Sequence, residues 1–419
     1  MFKFIHAADI HLDSPLRGLE QYEGAPVQEI RNATRRALSN LVDLAIEQEV
    51  AFVLIAGDLY DGDWRDYNTG LFFVDQVRRL READIPLYLI SGNHDAANRM
   101  TRTLKMPENV TFFSAERPET ALLRDLDVAI HGQSFATAAV YDDLSEGYPL
   151  ADSGRLNIGM LHTCAAGREG HDRYAPCSVE GLKSKGYDYW ALGHIHLREV
   201  LSEKPFIAFS GNIQGRHMRE TGAKGCLLVT VNDDRTLQPD FHPLDVLRWD
   251  RATVDVGDCQ GIDDVLQCVA SEIELRHGQA DGRPLAMRIE LTGQTAANGQ
   301  LHAKKHHWTN EIRSLAIDVG KGEVWIEKVR LLTTDPASRP TLGNVPDDAL
   351  SEVASLFQQI REDSSRAGTL GFDLGDVVKK LPAELKELAC FDDDDWLSEV
   401  LAAAEPLLHS RLMGTEVDE

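Results

Sequence analysis

The chain has 419 residues, of which 43% are hydrophobic and 26% charged; this composition excludes a mainly disordered, collagen-like or rod-shaped protein, and the length predicts two or three domains. Lys and Arg number 43 against 68 Asp and Glu, for a net charge of −25. A chain this acidic repels polyanions at long range, so a nucleic acid partner must meet a local basic patch, a bound cation or another subunit.

Residues 3–8, 51–56 and 86–90 are short runs rich in β-branched and aromatic side chains and predict buried strands. Between them, residues 27–49 carry Ile30, Leu38, Leu41, Leu44 and Ala45 near helical spacing, and residues 69–83 carry Leu71, Phe72, Val74, Val77 and Leu80. Alternating strands and helices predict an α/β unit. Residues 127–131, 156–161, 187–192, 206–209 and 225–231 are further strand candidates without long helices between them, which suggests a second sheet packed on the first. The pattern resets near residues 243–251. Residues 252–256, 262–276, 285–291, 301–315 and 323–331 then read as β-α-β-α-β. Pro336, Pro340, Gly343 and Pro346 mark residues 335–346 as a linker. Residues 347–419 carry apolar positions at helical spacing, and from residue 341 onward acidic side chains outnumber basic ones about three to one. The expected domains are therefore 1–245, 246–334 and an acidic helical region 347–419.

Six cysteines are scattered without a C-x-x-C pair and read as reduced thiols in the cytosol. His6 and Asp9 interrupt the N-terminus too early for a signal peptide, and no apolar run is long enough to span a membrane. The expected location is cytoplasmic.

The chemistry lies where the strand-like runs end. The first ends in Asp9-Ile10-His11, the second in Gly57-Asp58, and the third in Gly92-Asn93-His94-Asp95. Later runs end in His162 and in Gly193-His194-Ile195-His196. Ligands of open α/β sheets gather beyond the carboxyl ends of the strands, and five such ends deliver Asp, His and Asn there. Glycines before Asp58, Asn93 and His194 suit a sharply turning backbone. Two divalent ions about 3.5–4 Å apart can clamp the attacking and leaving oxygens of an in-line phosphate displacement. Mixed carboxylate, imidazole and amide ligands suit Mn, Fe or Zn better than Mg or Ca.

This ordered set, D-x-H, G-D, G-N-H-D, H and G-H-x-H, resembles the calcineurin-like metallophosphoesterase superfamily over about residues 1–244. The resemblance implies a two-sheet α/β/β/α sandwich, here followed by a small α+β capping domain and a helical C-terminal region. It further implies that Asp9, His11 and His196 bind one metal, that Asn93, His162 and His194 bind a second, and that Asp58 bridges the two. His94 would stand over the phosphate and help protonate the leaving oxygen, and Asp95 would hold the His94 ring.

The blocks Ala8-Asp9-Ile10-His11-Leu12-Asp13-Ser14-Pro15 and Ala56-Gly57-Asp58-Leu59-Tyr60-Asp61 resemble the DNA-repair nuclease branch, which includes the SbcCD nuclease subunit. The segment Gly211-Asn212-Ile213-Gln214-Gly215-Arg216-His217, followed by Glu220-Thr221-Gly222, resembles the YhaO-type version of that branch. That branch implies a Mn-dependent DNA exonuclease and endonuclease, working as a homodimer with a coiled-coil ATPase of the SbcC or YhaN kind. The chain has no G-x-x-x-x-G-K-[ST] loop, so a motor would be a separate subunit. Arg31 and Arg35 on the first helix, and Lys304 and Lys305 in the cap, are the candidate DNA contacts; the alternative for each cluster is a solvated helix face. Two other functions remain open: a phosphodiesterase for a small nucleotide or phosphoprotein, and an inactive scaffold.

Overall fold

The computed structural model describes residues 1–14, 32–61, 67–97, 106–165, 174–336 and 355. The chain divides into two compact units, Met1–Arg251 with His277–Met287, and Ala252–Arg276 with Arg288–Glu419. Arg31, residues 337–346 of the expected linker, and the helical region except Ser355 lie outside the described residues.

The first unit runs β1 (Phe2–Ala7), α1 (Ala33–Glu47), β2 (Phe52–Ala56), α2 (Asn68–Glu82), β3 (Leu87–Ile90), α3 (Asn93–Ala97) and β4 (Val110–Phe112). It continues with β5 (Glu119–Leu123), β6 (Val128–Gly132), β7 (Leu156–His162), α4 (Val179–Ser184), β8 (Tyr189–Gly193), β9 (Glu199–Glu203), β10 (Phe206–Phe209), β11 (Gly225–Val231) and β12 (Leu237–Pro243). Two six-stranded sheets result, ordered β12-β11-β1-β2-β3-β4 and β5-β6-β7-β8-β10-β9. The strands β1 to β4 are mutually parallel, as are β6, β7, β8 and β10.

Side-chain alternation explains why the central strands are apolar throughout. Phe52, Leu54 and Ala56 of β2 point into the layer between the sheets, where they meet Ile130, Ile158, Met160 and Tyr189 of the second sheet. Val53 and Ile55 point the other way, against Leu38 and Leu41 of α1 and Phe73 and Val77 of α2. A strand buried on both faces reads as a continuous hydrophobic run. The outer face of the second sheet is covered by Tyr148 and by Leu182 of α4, packed on Trp190 and Phe209. The layers are therefore α/β/β/α. Phe4 and Phe52 stack at 5.0 Å between the sheets, and truncating such a buried ring costs about 3–5 kcal/mol. Of the Phe72-Phe73 pair, Phe73 is fully buried while Phe72 is half-buried beneath the Arg35 guanidinium.

The remaining elements, most of whose residues fall in the second unit, are a three-stranded sheet of β13 (Arg248–Asp255), β14 (Leu285–Gln294) and β15 (Val324–Thr334), with α5 (Ile262–Gly278), α6 (Asn298–Ala303) and α7 (Lys305–Val319). The buried side chains of that unit include Val265, Val269, Ile289, Leu291, Ile312 and Ile326. The helix expected over residues 301–315 is two helices: Lys304 leaves the helical region at φ −124° and ψ 44°, and Trp308 Nε1 donates to the Gln300 carbonyl at 3.0 Å. No helix among the described residues is long and apolar enough to cross a membrane.

Candidate metal centre

The ends of β1, β2 and β3 in one sheet, and of β7 and β8 in the other, bring their polar residues together. Four of these residues hold positive φ: Asp9 at 52°, His11 at 46°, Asp58 at 51° and His194 at 100°. Non-glycine residues adopt such values rarely, and when they do they cluster at functional sites. Gly57 shares this backbone region, at φ 93°. Gly92 and Gly193 do not, so they are required for a different reason from the turning expected of them. A Cβ on Gly92 would collide with the Asp58 carboxylate, and one on Gly193 with the Ala56 carbonyl.

Asp9, His11 and His196 form one grouping with donor atoms within 4.8 Å of one another, and Asp9, Asp58 and His162 form another. His11 Nε2 and His196 Nε2 face each other at 3.1 Å. His196 Nδ1 lies 2.7 Å from Glu220 Oε1, and His162 Nδ1 lies 3.0 Å from the Ala56 carbonyl. A proton on each Nδ1 leaves each Nε2 lone pair for a cation, the usual way a metal histidine is oriented. Asn93 Oδ1 sits 3.0 Å from His162 Nε2, and the His194 ring packs edge-on against the His162 ring at 5.2 Å. Asp58 Oδ1 accepts from the His94 backbone N–H at 3.0 Å, leaving Oδ2 between His11 Nε2 at 3.8 Å and His162 Nε2 at 3.4 Å. A bridging carboxylate needs that position.

The electrostatics call for positive charge. Burial pushes the His11 ring down to about 3, so it is neutral at pH 7. Burial also disfavours charge on His162, yet Asp58 beside it raises its pKa to about 9. Asp58 itself is held well below the usual carboxylate range by His162, His11 and His94, against the effect of burial. A pocket that draws a proton onto a buried imidazole is one a dication would fill, and the donor set fits divalent metal ions.

A third grouping joins His94 to His11 and Asp58. The His94 side chain is 40% exposed, and its Nδ1 lies 3.1 Å from Asp61 Oδ1. The carboxylate facing His94 is therefore Asp61 rather than Asp95. Asp95 instead accepts from the backbone N–H groups of Leu59 at 3.0 Å, Tyr60 at 2.8 Å and Gly92 at 3.1 Å, stapling the turns after β2 and β3. Asp61, Arg216 and Glu220 are site residues to which sequence reasoning assigned no role, although their segments stood out. Their signal was a charged residue in a turn that follows a strand end on the ligand side of the sheet.

Arg35, Lys304 and Lys305, the described candidate DNA contacts, belong to none of these ligand groupings. Arg35 donates to both oxygens of Asp13, from Nε at 2.6 Å and Nη2 at 2.5 Å, and lies 5.2 Å from the Phe72 ring centroid. Its guanidinium secures the segment after β1. Lys304 and Lys305 are exposed at the α6–α7 junction, followed by exposed His306 and His307.

Residues 2–198 match the calcineurin-like phosphoesterase family, and residues 249–334 match the middle domain of the metallophosphoesterase YhaO. The Bacillus subtilis protein described as the uncharacterized metallophosphoesterase YhaO is 35% identical over 389 residues, 90% of this chain and 89% of that protein. Among solved structures, a dimetal phosphatase from Danio rerio aligns with TM-score 0.37 and 11% identity, over 57% of this chain and 96% of that one. GAP50, the anchor in the inner membrane complex of Plasmodium, aligns with TM-score 0.38 and 13% identity, over 58% of this chain and 84% of that one. With its candidate ligands gathered at strand ends and a relative this similar along nearly its whole length, the chain belongs to the calcineurin-like metallophosphoesterases, and within them to the YhaO-like enzymes, which are metal-dependent phosphoesterases.

Proposed function

We propose that the chain is a Mn-dependent DNA exonuclease and endonuclease, the nuclease subunit of a repair complex that contains a homodimer of this chain and a coiled-coil ATPase. The observation that carries the hydrolytic part is the convergence of Asp9, His11, Asp58, Asn93, His162, His194 and His196 beside a half-exposed His94. DNA as the substrate is supported by the resemblance of residues 8–15 and 56–61 to repair nucleases, and by a second unit carrying exposed Lys304 and Lys305.

Bound at this centre, two divalent ions would polarise the phosphate and lower the pKa of an attacking water. The chain's own residues do the rest. Asp61 accepts the His94 Nδ1 proton, which fixes the ring and directs Nε2 toward the leaving oxygen. Despite burial, the bond to Asp61 raises the His94 pKa, and the charges of Asp58 and Asp61 add to the effect. The raised pKa favours the protonated ring, which can donate from Nε2 as the strand breaks.

The deciding experiment incubates the purified protein and Mn with labelled duplex DNA, single-stranded DNA and cyclic nucleotides. Cleavage of DNA supports the reading. Hydrolysis of cyclic nucleotides alone would establish the small-molecule alternative, and no hydrolysis of any of them would favour a scaffold. Replacing Lys304 and Lys305 with Ala should reduce the slope of log K against log salt for DNA.

A further inference from the structure

Arg216 lies in the segment after β10, on a frame with little freedom. Gln214 Nε2 donates to the Leu247 carbonyl at 2.7 Å, its Oε1 accepts from the Val246 N–H at 2.9 Å, and Trp249 Nε1 donates to the Gly215 carbonyl at 3.0 Å. Glu220 then fixes Arg216 itself. Its Oε2 accepts from the Arg216 backbone N–H at 2.7 Å, and its Oε1 from guanidinium Nη2 at 3.1 Å. The Arg216 side chain is only 12% exposed.

This guanidinium is more than a support for Glu220. Glu220 already has the His196 ring at 2.7 Å, Asn212 Nδ2 at 2.9 Å and a backbone N–H without it. Nη2 lies 3.2 Å from His196 Nδ1, so the group borders a candidate metal ligand. The other edge carries the argument. Nη1 makes no hydrogen bond among the described residues; Asp61 Oδ1, which holds His94, stands 3.7 Å away. A largely buried cation therefore holds Nη1 and its two N–H groups beside the carboxylate that meets His94, with Nη2 next to a candidate metal ligand.

The geometry points to Arg216 as a catalytic residue whose Nη1 takes a non-bridging oxygen of the scissile phosphate. The inference rests on the chain being a phosphodiesterase and deepens that reading, since it applies to any phosphodiester whether or not DNA is the substrate. A phosphodiester carries two non-bridging oxygens, and charge shifts over the equatorial oxygens as the bond to the leaving group lengthens. A planar guanidinium already held by Glu220 meets that charge without reorganising, whereas an ammonium at the same place would be a point charge without the fork.

The test compares the full-length protein with Arg216→Gln and Arg216→Lys, each loaded with Mn. Three quantities are measured: metal content, affinity for inorganic phosphate by calorimetry, and kcat and KM for bis-(p-nitrophenyl) phosphate. The expected result for Arg216→Gln is unchanged metal content, phosphate binding weaker by roughly tenfold or more, and turnover lower by roughly 10²–10³-fold. Arg216→Lys should recover part of both losses. Unchanged phosphate affinity in Arg216→Gln would overturn the inference. So would lost metal in both variants, because Arg216 would then act only through Glu220 and His196. If the wild type hydrolyses the small diester but not DNA, the DNA reading fails and the Arg216 comparison still stands. If it hydrolyses neither, the phosphate affinities alone decide.

Discussion

Asp61 Oδ1 lies 3.1 Å from His94 Nδ1 and 3.4 Å from His11 Nδ1, so one carboxylate oxygen serves both the proposed general acid and a candidate metal ligand. Both rings help hold the Asp61 carboxyl well below the usual carboxylate range, and Asp61 in turn raises the His94 pKa against the effect of burial. A general acid must be protonated, so activity falls as pH rises through the His94 pKa. In Asp61→Asn that alkaline limb should move to lower pH by about one unit or more. A pH–rate profile with the limb unmoved would show that Asp61 does not control the proton on His94.

Glu220 holds His196 by its Nδ1, and such a partner typically contributes 10–100-fold to metal affinity. Glu220→Gln keeps the shape of the side chain and removes its charge. We expect Mn to bind roughly tenfold or more weakly in a calorimetric titration. Wild-type affinity in the variant would mean that the imidazole is oriented by its surroundings alone.

Asp58 and His94 should separate binding from turnover. Asp58→Asn should lose both ions, because Oδ2 lies between His11 and His162. His94→Gln should retain both ions and lose turnover by roughly 10²–10⁴-fold. Elemental analysis of the loaded proteins, read beside diester hydrolysis, checks both. A fully loaded wild type holding one ion per chain would refute the two-ion arrangement.

Much of the first unit was legible in its sequence because both sheets are buried on two faces. The runs at 51–56 and 156–161 announce themselves as β2 and β7. What escaped notice were β4, β5, β9 and β12, which are the four edges of the two sheets. Each is partly or mostly exposed and mixes polar with apolar residues, and β12 carries Pro239 and Pro243, which only an edge accommodates. The candidate ligand positions that the fold brings together were legible because they follow the buried strands directly. The partner of His94 was not: Asp95 is adjacent in sequence, but α3 turns its carboxylate toward three backbone N–H groups, while Asp61 arrives from the turn after another strand. Proximity along the chain misled where the fold supplied a nearer neighbour.

His6 makes an independent prediction about acid stability. Its Nδ1 lies 2.9 Å from the Tyr189 hydroxyl and its Nε2 lies 3.2 Å from the Leu192 carbonyl, and burial lowers its pKa to about 3. The unfolded chain takes up a proton near pH 6.5, whereas the folded one does not until far lower. Stability is therefore fully present above about pH 6.5 and declines as pH falls toward 3, by about 1.4 kcal/mol per unit for this one group. His6→Gln should be less stable at pH 7.5 but lose less between pH 6.5 and 4.5. Urea denaturation of the metal-free proteins at both pH values measures the difference, and parallel slopes would exclude His6 as the source.

Because the donors come from the ends of strands in both sheets, the centre cannot exist in either sheet alone. The His194 N–H binds Asp9 across 185 positions of chain, and His162 meets Asn93 across 69. Contacts so distant in sequence form only after slow chain closure. Metal capture is thus a timer for folding: during refolding it should lag behind the appearance of each sheet and coincide with their docking. Once captured, the ions tie the two halves of the sandwich together, and raising their free concentration should slow the separation of the sheets.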